Sequence, residues 1–226
     1  LSNDYLKHIL VSIKTMGYKD ILVFLDDGAT NVERVNTAFS LAVSQQAHIT
    51  GISVASMKPE HAKVSNEKAL ARISEQAAIK LTEDFRKRAE EEGVSVDTHV
   101  VYGFEDVAAK TLAKFAMNFD LTILHQSRPD ARNHMLLKNV AEQVILLSGR
   151  PVFFMPYIGS HHMPCKRAMI AWDGSPAASR AVHDAIPLLQ DINEVIILVI
   201  EDGKSKTKRG ELYCDHLTSS FKRHGI

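Results

Sequence analysis

The chain has 226 residues, 45% of them hydrophobic and 24% charged, and its 27 Lys+Arg balance 27 Asp+Glu. That is the composition of a soluble globular chain of one or two domains, and zero net charge gives no whole-surface attraction for nucleic acid or an anionic membrane. Apolar runs such as Val195–Ile200 are far too short to span a bilayer.

Residues 1–15 carry no signal-peptide pattern, since Lys7 and His8 interrupt Tyr5–Ile13 and no small-residue cleavage site follows. Met16-Gly17 has the look of a natural start, so the segment is read as upstream or appended material. The other reading is an extra edge strand, because Tyr5–Val11 partly echoes Tyr18–Val23. Cys165 and Cys214 stand in unmatched contexts and are read as free thiols, which points to a reducing cytoplasm.

The stretch 20–25, DILVFL, is a near-continuous apolar strand of the kind buried on both faces. Thr30 with Glu33 then makes a capping-box signature, and Val35, Ala38, Phe39 and Ala42 form the buried stripe of a helix. A second strand is predicted over 48–55. Leu70, Ile73, Ala77, Leu81, Phe85 and Ala89 keep helical spacing over a long charged helix that Gly93 ends. Strands are predicted at 96–102 and 120–124, flanking a helix that includes Val107 to Phe115. Leu136, Val140, Val144 and Leu147 line the next helix, and PVFFMP at 151–156 is a fifth strand. Strands alternating with helices through short connections predict a parallel sheet with helices on both faces.

The pattern then begins again. Displacing the chain by 147 positions sets Lys19 on Lys166, Asp26 on Asp173, Val35 on Val182, Ala38 on Ala185, Leu41 on Leu188 and Ile49 on Ile196. The stretch KRAMIAWDGS (166–175) opens with a strand that holds Trp172 as a core residue and ends at Asp173. Ser175 is the N-cap and Pro176 the first residue of the next helix. A strand at 194–200 and a helix over 207–223 follow, with Gly225 in the place of Gly93. The expected organisation is an outlying segment at 1–15, a first domain at 16–157, a linker at 158–165 and a partial second domain at 166–226. That second copy is expected to lack its last three strands and two helices, leaving apolar faces and an unpaired edge to be covered.

ILVFLDD, AMIAWDGSPAASRAVHDAIPLL, and DLTIL followed by LLKNVAEQVILLSGRPVFFMP together resemble the universal stress protein family, and the second of these is similar to the second half of bacterial tandem members. The resemblance implies a doubly wound parallel five-stranded sheet of order 3-2-1-4-5, related to the adenine nucleotide hydrolases and here duplicated in tandem. It implies pairing through the fifth strand, Pro151 to Pro156, between the two copies or between two chains. Some members bind ATP through G-x2-G-x9-G-[ST] after the fourth strand, with the first-strand Asp at the nucleoside. Mapped here, the glycine positions hold His125, Arg128 and Lys138, and Asn139 replaces the Ser/Thr. Side chains where amides must approach phosphates close such a cradle. ATP is therefore not expected in the first copy, and is possible in a complete second copy with its motif beyond Ile226.

Asp26 is the degenerate counterpart of the nucleoside contact and is read mainly as a turn and cap carboxylate, whereas for Asp173 the two readings stand level. His125, Arg128, Arg132, His134 and Lys138 form a basic stretch able to attract an anion through side chains, with a solvated loop as the plainer reading. His161, His162 and Cys165 fit no closed zinc spacing and are read as linker. Ser127 and Ser175 lack a G-x-S-x-G elbow and a His/Asp partner suggested by the fold, so no catalytic residue is expected. The expectation is a non-catalytic stress-response interaction or sensing module, with a nucleotide-binding or slowly hydrolysing protein as the alternative.

Overall fold

The computed structural model describes residues 17–57, 67–127, 134–158, 165–199 and 209–226. They form two compact units, within Leu1–His161 and within His162–Ile226. Unit 1 runs β1 (Asp20–Leu25), α1 (Asn31–Gln45), β2 (His48–Met57), α2 (Glu67–Glu91), β3 (Val96–Phe104), α3 (Glu105–Ala116), β4 (Leu121–His125), α4 (His134–Leu147) and β5 (Val152–Met155). The strands form one sheet in the order β3-β2-β1-β4-β5, and each pairing is parallel.

β1 is central, so both of its faces must be apolar. Leu22 and Phe24 point into a core with Ala108, Leu112, Val140 and Val144 of α3 and α4. The alternate residues Ile21, Val23 and Leu25 are equally buried on the opposite face. There Phe39 of α1 stacks on Phe85 of α2 with ring centroids 5.2 Å apart.

Three local expectations fail for identifiable reasons. Thr30 has φ −85° and ψ −2° and makes no side-chain cap bond; capping geometry requires the extended region, and Thr30 is already helical. Ile73 is 63% exposed and Ala77 is exposed too, while Ala78, Thr82, Phe85 and Ala89 form the buried face of α2. Repeated i+4 steps rotate by about 40° each around a helix, so a stripe buried at Phe85 and Ala89 has turned off the core by Ala77 and Ile73. Leu147 is 47% exposed, because α4 reaches the side of the sheet where β5 is the last strand.

Unit 2 contains β6 (Arg167–Ala171), α5 (Pro176–Leu189), β7 (Glu194–Leu198) and α6 (Arg209–Arg223), with β6 and β7 parallel. Ser175 caps α5, accepting a hydrogen bond from the Ala178 amide at 3.1 Å. Trp172 lies just past β6 rather than within it, and packs with Ala168, Ile170, Val182 and Phe221. Gly225 at φ +77° repeats the left-handed helix stop of Gly93 at φ +68°. The sheet register differs from the ungapped displacement by one residue. Ile21 pairs with Ile49 in unit 1, whereas its counterpart Ala168 pairs with Val195, not with Ile196.

At Gly51 in β2, an added Cβ would lie 2.5 Å from the Phe85 ring and 2.9 Å from a Leu25 methyl. Gly51→Ala should therefore destabilise unit 1 by roughly 1–3 kcal/mol through overpacking, measured by denaturant unfolding followed on a unit 1 signal.

Candidate functional site

In the order β3-β2-β1-β4-β5, the chain leaves β1 toward one side of the sheet and reaches β4 on the other, so the carboxyl ends of β1 and β4 flank the switch-point crevice where such sheets take ligands. Asp26 follows β1 directly, and His125 is the last residue of β4. Both are buried.

The Asp26 Oδ1 accepts from the Gly28 amide at 2.7 Å, an Asx turn that redirects the chain into α1. An added Cβ at Gly28 would lie 2.8 Å from that same oxygen, so the turn leaves no space for a side chain. The Asn31 amide bonds the Gly28 carbonyl, which leaves the Asn31 Oδ1 to face the Asp26 amide and the side chain of Arg34.

Arg34, one turn into α1, is completely buried. Its Nε donates to the Phe24 carbonyl at 2.7 Å and its Nη2 to the Asn31 Oδ1 at 2.7 Å. The same Nη2 lies 3.3 Å from the Asp26 Oδ1. Its Nη1 donates to the His125 Nδ1. A guanidinium has no acceptor, so this bond fixes the His125 proton on Nε2, which lies 3.5 Å from the Asp26 Oδ2. The three side chains close a ring of contacts with one positive charge, one negative charge and a neutral imidazole.

The electrostatics agree with that assignment. Burial lowers the His125 pKa to about 4, helped by the Arg34 charge and opposed by Asp26. Burial also draws the Arg34 pKa down, and Asp26 works against it by charge and hydrogen bonding.

Arg34 was not singled out by the sequence, although it precedes Ala38 and Leu41 by four and seven positions and so lies on the buried face of α1. A cation on an apolar stripe was the available signal. Of the positions matched to the glycine motif, His125 joins Asp26, while Lys138 is half-exposed on α4 and sits 3.8 Å from Glu142. Asn139 is partly buried on the same helix. Arg128 and Arg132, like His161 and His162, lie outside the described residues. Asp173 is exposed in unit 2, where its Oδ1 accepts from the Ser175 amide at 2.9 Å, which lowers its pKa. Ser127 does have a histidine neighbour, contrary to expectation. Its Oγ is 2.6 Å from the His134 Nδ1 and 3.3 Å from the His134 carbonyl, at the start of α4.

Among the described residues, no group of three or more His, Cys, Asp or Glu side chains could hold a metal ion. Among them, too, no helix is long and apolar enough to cross a membrane.

The parallel five-stranded sheet and the switch-point crevice define a doubly wound α/β protein. Residues 17–156 match the universal stress protein family, and the chain belongs to it. Among solved structures, a universal stress protein from Archaeoglobus fulgidus DSM 4304 is 16% identical, with 89% of this chain and 72% of that one covered at a TM-score of 0.64. UspA from Lactobacillus plantarum is 17% identical over 62% of this chain and 99% of its own, at 0.50. A functionally unknown protein from Pseudomonas aeruginosa PAO1 is 14% identical over 94% and 68%, at 0.51. These likenesses are of fold. Comparison with curated protein sequences gives no match.

Two outcomes follow for the cluster. Removing one partner of a buried ion pair leaves the other uncompensated, so Asp26→Ala should cost roughly 3–5 kcal/mol in a denaturant melt. The pH response comes from His125. The unfolded chain takes up its proton near pH 6.5 and the folded one only near 4. Between these values the unfolded state binds more protons, so stability falls as the pH drops, by roughly 3 kcal/mol once below both. His125→Asn, which keeps an acceptor for Arg34, should flatten that part of the stability–pH curve.

Proposed function

We propose that unit 1 is a non-catalytic interaction or sensing module of the universal stress type, with its nucleotide crevice closed by its own Arg34. The observation that carries this reading is the fully buried guanidinium held between Phe24, Asn31, Asp26 and His125. Asp26, which the family resemblance assigns to the nucleoside, is committed to Gly28 and Arg34. His125, Lys138 and Asn139, with Arg128, stand where a glycine cradle would expose its amides. The residues present therefore do not fit ATP in the family manner, and no nucleotide chemistry is assigned to unit 1.

A second reading places a nucleotide at unit 2. The tandem repeat sets Ala181 where unit 1 has Arg34, and Asp173 is exposed beside Gly174 at φ +73°. The likeness to the Archaeoglobus fulgidus protein extends over most of this chain, in keeping with a tandem arrangement. Such an Asp173 would stand open to a nucleoside, with ATP as the ligand.

Calorimetry of the full chain with ATP separates the two. No binding at micromolar strength is the expected result. Binding that Asp173→Ala removes and Asp26→Ala leaves intact would support the second reading, and the reverse pattern would overturn the first.

The self-association surface proposed for this module is β5, which ends the sheet and holds Val152, Phe153 and Phe154 only half-buried. Its partner is a second copy of the domain, in the same chain or in another, and the setting is cytoplasmic. An unpaired apolar edge invites such pairing. Phe153→Lys should change the sedimentation behaviour or lower the melting temperature; unchanged values in both would rule the surface out.

A further inference from the structure

A cleft of about 540 Å3 opens in unit 1 between the ends of β4 and β5 and one face of α4, a size within the range of small-molecule sites. Neither Asp26 nor Arg34 lines it, and it meets the closed crevice at His125. α4 supplies His134, Lys138 and Ala141, which share a helix face at i, i+4 and i+7. Phe154 and Pro156 form the opposite wall. His125 contributes a neutral ring, because both of its nitrogens face Arg34 and Asp26.

Among the described residues, the lining of the cleft is mostly apolar, with Lys138 as its cation, and no acidic side chain lines it. The Lys138 ammonium has only Glu142 at 3.8 Å, with both side chains more than half exposed. An exposed pair of this kind is worth little and exchanges readily for a better anion. The bonded pair Ser127 and His134 lies at the same polar end.

We propose that this cleft binds an amphipathic monoanion, a medium-chain aliphatic or aromatic carboxylate. The carboxylate sits at Lys138 beside Ser127, and the hydrocarbon body lies against Ala141, Phe154 and Pro156. One ammonium balances one negative charge. A triphosphate would bring several charges to a site where Lys138 is the cation among the described lining residues and the wall is apolar, so that the excess is left poorly solvated. The hydrocarbon supplies most of the binding free energy through burial, and the lysine sets the orientation and the preference for acids.

The test is calorimetry of the full chain with octanoate, octan-1-ol and inorganic phosphate at low salt. Octanoate should bind saturably with one site per chain, and phosphate should not. Lys138→Met should weaken octanoate about tenfold, the loss of one charge-assisted contact, and leave octan-1-ol unchanged. Ala141→Trp should fill the cleft and abolish binding of both, with thermal melting used to verify that the variant is folded. Absence of saturable octanoate binding overturns the proposal, as does binding that neither substitution alters. Phosphate binding as tight as octanoate would make the site a plain anion site and overturn it too. A change of sedimentation in Ala141→Trp without any octanoate binding would mean that a second copy covers the cleft. The closed-crevice reading is tested separately, because ATP binding removed by Asp26→Ala leaves the octanoate result standing, and an octanoate failure leaves the closed crevice standing.

Discussion

A guanidinium with no exposure to water must find acceptors within the protein, and that requirement organises the centre of unit 1. Arg34 reaches the Phe24 carbonyl at the end of β1, Asn31 at the start of its own helix, Asp26 in the turn between them and His125 at the end of β4. Two neighbouring strands and the first helix are thereby held at one point. Hydrophobic burial of Leu22, Phe24 and Leu112 provides the bulk of the stabilisation but little directionality. The ion cluster contributes specificity of position, since its partners must arrive together for any of them to be satisfied.

Unit 2 shows how local the device is. The Asp turn is retained there, with Asp173 accepting from the Ser175 amide much as Asp26 accepts from Gly28. The helix after it is better capped, by Ser175 rather than by Thr30. The cation is absent, because Ala181 occupies the repeat position of Arg34, and the aspartate stays exposed. The two faces of the β6–β7 sheet also differ. Ala168, Ile170, Val195 and Ile197 pack with α5 and α6 residues, whereas Met169, Ile196 and Leu198 are 67%, 45% and 40% exposed. The unit 1 residue matching Met169 is Leu22, buried under α3 and α4. The same strand pattern thus has one face covered in both units and the other covered only in unit 1.

Most elements were legible in the sequence because they rest on periodicity, and burial enforces periodicity, whereas the strand order came from the family resemblance. β1 matches the predicted run residue for residue, and the left-handed stops at Gly93 and Gly225 stand where glycine marked them. What escaped depends on geometry that periodicity does not encode. The drift of i+4 steps misplaced Ile73, and a one-residue shorter connection moved the β6–β7 register. At the site, Asp26 and His125 were found through family spacing. Arg34 was not, because a cation on a buried stripe is informative only once its acceptors are known, and they come from segments 3, 8, 10 and 91 residues distant. The Ser127–His134 contact depends on how the chain returns from β4 to α4, which composition does not reveal.

Closure by a charged cluster differs in kind from closure by an apolar plug. A nucleotide entering at Asp26 must first displace Arg34, and separating a buried ion from its partner costs roughly 3–5 kcal/mol. Even at the lower figure, a competent open state would be populated at about one part in a hundred, and apparent affinity would fall by about the same factor. Recovering an open crevice by substitution is equally constrained. Replacing Arg34 alone leaves Asp26 buried beside an unpaired His125, and replacing Asp26 alone strands the guanidinium. Under the closed-crevice proposal, Arg34, Asp26 and His125 must change as a set, which makes the closed arrangement resistant to single mutations.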